Sequence, residues 1–141
     1  MQLRIFAAIV FFIGLTIWTW LLIEPKPVPE TVMELLSASD WLKFILAKLL
    51  HAAGYACLTL TLGIWLPARR MPLLLGITFM ILHGVATEII QTYVERHGCI
   101  RDVLIDWFGI AVGVWIGRKF WRPMWSANRY FSQTSISARS P

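Results

Sequence analysis

Long apolar stretches, each about the length needed to cross a bilayer, alternate with short charged links along this chain. The first, residues 3–23, has 21 residues; as a helix rising 1.5 Å per residue it reaches ~32 Å, enough for a hydrocarbon core. Arg4 precedes it, as in a secretory signal, but the stretch is long for a signal core. The following Glu24-Pro25-Lys26-Pro27 offers no small-x-small cleavage site. An uncleaved span is the better reading. After a proline-rich link, residues 24–41, in which 30–36 is expected as a short interfacial helix, a second stretch covers 42–66, interrupted by Lys43, Lys48 and His51. A basic turn around Arg69-Arg70 leads to a third, 73–94, holding His83, Glu88 and Gln91, and a fourth, 102–117, follows the loop carrying Arg96. From Arg118 the tail is basic, then serine-rich, and is expected to be disordered after Asn128.

Only 15% of residues are charged and 57% are hydrophobic, well short of the ~25% charge of a soluble domain. The expected fold is therefore all-α: a four-span transmembrane bundle. Residues 1–23 form the first span, 24–41 an extracytoplasmic link, 42–117 a three-span core and 118–141 a basic tail. No internal repeat is present, which excludes transporters built from duplicated multi-span halves. The net charge of +5 flanks the apolar stretches, so membrane phosphates, and not nucleic acid, are the expected partner; anionic lipid would meet the basic segments. Cys57 and Cys99 provide no disulfide framework. Phosphate-binding loops, nucleophile elbows and dinucleotide fingerprints are missing.

Orientation follows from the distribution of lysine and arginine. Placing the N-terminus, the Arg69-Arg70 turn and the tail on one side gathers eight basic residues there, whereas all eight acids fall on the opposite links or inside the spans. Both termini are thus expected in the cytoplasm. Trp18, Trp20, Trp41 and Tyr93 would form an outer aromatic belt, and Trp65, Trp121 and Trp125 an inner one.

That topology brings the ionisable residues to one depth. From helical rise, Lys48 lies ~9 Å, His51 ~13 Å, Glu88 ~8 Å and Asp106 ~6 Å below the outer ends of their spans, with Asp102 at the mouth. At ~100° per residue they also share faces: Lys48, His51, Tyr55 and Thr59 on the second span, Gly84, Thr87, Glu88 and Gln91 on the third, Asp102, Asp106, Gly109 and Gly113 on the fourth. Gly109-x3-Gly113-x3-Gly117 is a seam for close helix approach, within the chain or between copies.

Simpler roles exist for each residue. Lys43 and Lys48 could snorkel to the interface, and His83, Tyr55 and Thr59 could serve as interhelical hydrogen-bonding groups. Glu88 is harder to place: a carboxylate at that depth must pair, protonate or face water. A structural ion pair with Lys48 or Arg96 would suffice.

Lys48-x2-His51-x3-Tyr55, then Glu88-x2-Gln91, then Arg96-x5-Asp102-x3-Asp106-x2-Gly109-x3-Gly113 resembles the VanZ-like family of bacterial integral membrane proteins over residues 42–117. The chain departs from that pattern at Ala47, where the family often has an acid, and at Asp106, where it usually has asparagine. The resemblance implies a multi-pass protein of the bacterial cytoplasmic membrane with a cell-envelope role. It further implies action on phospholipid head groups or lipid-carrier-linked phosphates, and a link to resistance to the glycopeptide teicoplanin; activity is inferred at family level only.

The residues themselves suit a lipid phosphate. Lys48 and Arg96 are cations at the outer boundary, and arginine binds phosphate bidentately. His51 is the candidate base or nucleophile. Glu88 would orient or deprotonate it, Gln91 would hold a phosphoryl or carbonyl oxygen, and Asp102 and Asp106 would orient the cations or protonate a leaving group. The catalytic set is thus His51, Glu88 and Asp102, and the substrate-binding set Lys48, Tyr55, Gln91, Arg96 and Asp106. His51, Glu88 and Asp106 have metal-ligand chemistry, but no ligand spacing such as H-E-x-x-H accompanies them, so neither metal nor cofactor is expected. The rival reading is a non-catalytic module that binds envelope lipid or a partner, its polar cluster purely structural. A proton-coupled channel is weaker, since four spans would need oligomerisation to line a path.

Overall fold

The computed structural model describes residues 2–24, 40–66, 70–94 and 99–137, with side chains for all of these except Asp40 and those after Trp121. All regular structure among them is helical: α1 (Gln2–Ile23), α2 (Asp40–Trp65), α3 (Arg70–Tyr93) and α4 (Ile100–Ser137). The ends follow local chemistry. Helix α1 stops before Glu24-Pro25 and α2 before Leu66-Pro67, where the residue preceding proline is driven out of the helical region. Pro72 sits in the first turn of α3, where a missing N–H costs nothing. The Cys99 carbonyl accepts from the Asp102 and Val103 amides at 2.8 and 3.4 Å to open α4, and Asp102 in its first turn suits the positive end of the helix dipole.

Helices α1, α2 and α3 are long and apolar enough to cross a membrane. Phe6, Phe12, Leu49, Leu50, Leu82 and Phe108 are exposed, apolar surface that water would penalise and hydrocarbon would not. The helical backbone of α4 continues past the apolar stretch 102–117 to Ser137. Apolar composition decides where a helix suits lipid, whereas its backbone hydrogen bonds continue without it. The expected short helix at 30–36 lies outside the described residues.

Helix α2 is the centre of the bundle, packing most extensively on α4 and next on α1, while α3 leans chiefly on α4. Phe11, Trp18 and Leu22 of α1, Tyr55, Leu58 and Leu62 of α2, Met80 of α3 and Ile110 of α4 form the core. Trp18 is therefore a core residue and not part of an outer belt: depth was right for a belt, but its face turns inward against Gly54. Trp121 is likewise buried, its ring over Gly63 and Gly117 and its Nε1 donating to the Leu60 carbonyl at 3.3 Å.

The glycine seam of α4 lies directly on the α2 backbone. A Cβ on Gly113 would meet the Ala56 carbonyl oxygen at 2.7 Å and Thr59 Cβ at 2.8 Å, and one on Gly109 would overlap the Ala52 carbonyl. Gly109 and Gly113 are buried against α2, and Gly117 is buried under the Trp121 ring of its own helix. Gly109→Ala should destabilise the protein in detergent by about 1–3 kcal/mol, the usual cost of overpacking. Gly14→Ala, where a Cβ meets only the flexible Leu58 Cδ2 at 3.3 Å, should stay within ~0.5 kcal/mol of the parent. Thermal unfolding of the two variants side by side measures the difference.

Candidate functional site

Three helical stripes converge near the start of α4. On α2, Lys48, His51 and Tyr55 recur at the i, i+3, i+7 spacing that stacks side chains on one face. Asp102 and Asp106 of α4, one turn apart, meet that face. Lys48 Nζ contacts both Asp102 oxygens, at 2.5 and 2.7 Å, and its ammonium also lies 5.0 Å over the Phe44 ring. One turn deeper, His51 Nδ1 lies 3.0 Å from Asp106 Oδ1. Asp106 has no solvent exposure at all. With Nδ1 donating to that carboxylate, a neutral His51 ring carries its lone pair on Nε2, the arrangement that makes an imidazole a base or a ligand. The Trp18 ring stands edge-on to His51, 6.1 Å between centroids, and walls the site towards α1.

Helix α3 adds Glu88, which is also buried. Its Oε2 accepts from the Cys99 amide at 2.8 Å, so a carboxylate from one helix caps the start of the next. Its Oε1, like Asp106 Oδ2, is buried without a hydrogen-bond partner. Asp106 Oδ2 lies over Gly84, 3.3 Å from where a Cβ would stand, one turn from Glu88. His51, Glu88 and Asp106 each bring one ligand atom within 4.8 Å of the others'.

A second network lies deeper. Thr19 Oγ1 donates to the Leu15 carbonyl at 2.7 Å and meets His83 Nε2 at 2.9 Å. Its one proton is used, so it accepts from His83, leaving Nδ1 to accept from Tyr55 OH at 3.0 Å. Thr87 spends its proton on the Gly84 and His83 carbonyls at 2.9 and 3.1 Å, and its 3.5 Å approach to Tyr55 OH is packing. Tyr55 and His83 thus satisfy one another and tie α1, α2 and α3 together.

Of the residues expected in the site, Lys48, His51, Tyr55, Glu88, Asp102 and Asp106 come together. Arg96 lies outside the described residues. Gln91 is buried and donates to the Leu22 carbonyl near the end of α1 at 2.9 Å, tying α3 to α1. Asp106, not Glu88, orients His51, and Asp102, not Glu88, pairs with Lys48. Sequence reasoning missed Trp18 and Thr19, whose helix showed no polar stripe, and the Cys99 amide, since backbone groups leave no trace in a residue pattern. A separate apolar groove of about 510 Å³, lined by Ile77, Ile81, Trp107, Val114, Trp115 and Arg118 among others, contains none of the cluster residues.

No protein-family model matches the chain, and no curated protein or solved structure matches it either.

The Lys48–Asp102 contact is partly buried, with side chains 25% and 10% exposed. Removing one partner strands the other, whereas removing both does not. Lys48→Met should cost about 2–3 kcal/mol, and Lys48→Met with Asp102→Leu should recover most of that loss. A double-mutant cycle on detergent-solubilised protein measures it.

Proposed function

We propose that this is a four-span membrane protein with both termini in the cytoplasm, and that its polar cluster acts on a lipid phosphate in the outer leaflet. The observation that carries this reading is the His51–Asp106 contact one turn from Lys48, at the end of the bundle where α4 begins. A base held in one tautomer beside a cation that is a quarter exposed suits attack on a phosphodiester. His51 Nε2 takes the proton of a water or acceptor hydroxyl, the oxygen attacks phosphorus, and the head-group or carrier oxygen leaves with the P–O electron pair and takes up the proton held by His51. Lys48, joined by Arg96 from the adjoining loop, balances the charge that builds on the phosphoryl oxygens. Asp106 holds the imidazole in place, and Asp102 holds Lys48 in position.

The likeness to VanZ-like proteins supports the same substrate class, a place in the bacterial cytoplasmic membrane and a contribution to teicoplanin resistance. Asp106 fits this reading: where the family pattern has a neutral amide, whose oxygen could also accept, the carboxylate here gives histidine a charged acceptor. The fourth span is the apolar part of α4 up to Gly117, closed by Arg118 and Lys119 on the cytoplasmic side, and the excess of basic residues there supports the orientation.

The rival reading, a structural network in a binding module, is favoured by Gln91 and Glu88, each of which bridges two helices through a backbone group. Lipid profiling of a deletion strain separates the two. His51→Ala should accumulate in the membrane at the parent level, leave the lipid or carrier-linked species altered as in the deletion, and lose any teicoplanin phenotype. A lipid inventory that is the same in the deletion, parent and mutant strains overturns the enzymatic reading. Orientation is checked separately: in a Cys57→Ser background, Cys99 should react with a membrane-impermeant maleimide added outside intact cells.

A further inference from the structure

His51, Glu88 and Asp106 come from three different helices, α2, α3 and α4, yet each offers a ligand atom within 4.8 Å of the other two. Bonds of ~2.0–2.2 Å in a tetrahedral arrangement set ligands on a shared ion ~3.3–3.6 Å apart, so the side chains need to draw in by at most about 1.5 Å. Glu88 and Asp106 are 5% and 0% exposed, and each keeps one buried oxygen with no hydrogen-bond partner. A buried carboxylate oxygen left bare is costly, and two of them beside one imidazole share a single remedy. Gly84 contributes by absence: a side chain there would crowd Asp106 Oδ2, the contact starting at 3.3 Å with the first carbon.

Charge gives an independent reason. Among the described residues of the cluster, Asp102, Glu88 and Asp106 contribute three negative charges when ionised and Lys48 one positive charge, with His51 neutral. A divalent cation brings that sum to zero, which a low-dielectric surrounding strongly favours. We propose that His51, Glu88 and Asp106 bind one divalent transition-metal ion, zinc or manganese, as a three-ligand site. One nitrogen and two carboxylate oxygens suit borderline and harder divalent ions better than thiophilic ones. Three protein ligands leave a coordination position for water or a phosphoryl oxygen; in the loaded protein His51 is a ligand, and activation of the attacking oxygen passes from its ring to the ion. The Cys99 amide, already donating to Glu88 Oε2 at 2.8 Å, would fix that ligand from the outer shell.

Metal binding is measured on the protein alone, so it fails or stands separately from the lipid reading. Full-length protein, purified in detergent and stripped with chelator, is titrated with Zn2+, Mn2+ and Co2+, the last followed by its visible absorption. The parent should take up one ion per chain with a rise in thermal midpoint. Glu88→Gln and Asp106→Asn, near-isosteric changes, should lose more than the ~10–100-fold in affinity that loss of an outer-shell partner costs, while keeping the parent's helical circular dichroism and monodisperse elution. A parent that retains none of the three ions above the detergent blank overturns the proposal, as does unchanged affinity in both variants. Should neither variant fold, the parent titration decides alone.

Discussion

Asp106 has no access to solvent, and a carboxylate so placed persists only if something meets its charge. His51 does so at 3.0 Å, and much of the arrangement follows from that contact. It requires α2 and α4 to lie backbone to backbone, which the glycines of α4 permit; it turns the Lys48 stripe towards Asp102; and it leaves α3 to close the remaining side with Glu88. Low dielectric makes each unmatched charge expensive and each matched one strongly directional. Polar groups therefore determine the bundle's register more sharply than its apolar residues do, because lipid-facing leucines and phenylalanines are interchangeable in hydrocarbon.

The helices and the faces of the cluster were legible in the sequence because both follow from spacing. Lys48, His51 and Tyr55 fall on one stripe whatever the tertiary structure, and so do Asp102, Asp106, Gly109 and Gly113. The pairings were not legible. Helical rise placed Glu88 and Asp106 within ~2 Å of one depth, so depth could not decide which acid meets His51; the crossing of α2 and α4 decides it, and crossing angle is a property of two helices together. Trp18 illustrates the same gap. Its position near a span end suggested an interfacial ring, but α1 carries apolar residues all round and gave no sign of which side turns inward. The bundle resolves this by placing Gly54 opposite the indole.

The two half-buried histidines show how similar residues acquire different roles. His83 has a hydroxyl partner on each nitrogen, from Thr19 and Tyr55, and both of its hydrogen-bonding capacities are used. His51 has a carboxylate on Nδ1, which fixes the ring's orientation and, in the neutral ring, leaves the lone pair on Nε2. Nothing in the sequence distinguishes the first as structural and the second as chemical; the partners do.

Ala52 adjoins His51, and Gly109 lies one turn beyond Asp106, so the place where α4 touches the α2 main chain is also the nearest backbone support of the histidine–aspartate pair. Gly109 acts as a shim of minimum thickness. The tolerance on an imidazole–carboxylate distance deep in the bundle is thereby set by a hydrogen atom where any other residue would put a carbon. An exposed leucine or phenylalanine of the bundle has open space around it, but at this one spot the gauge of the whole cluster would change.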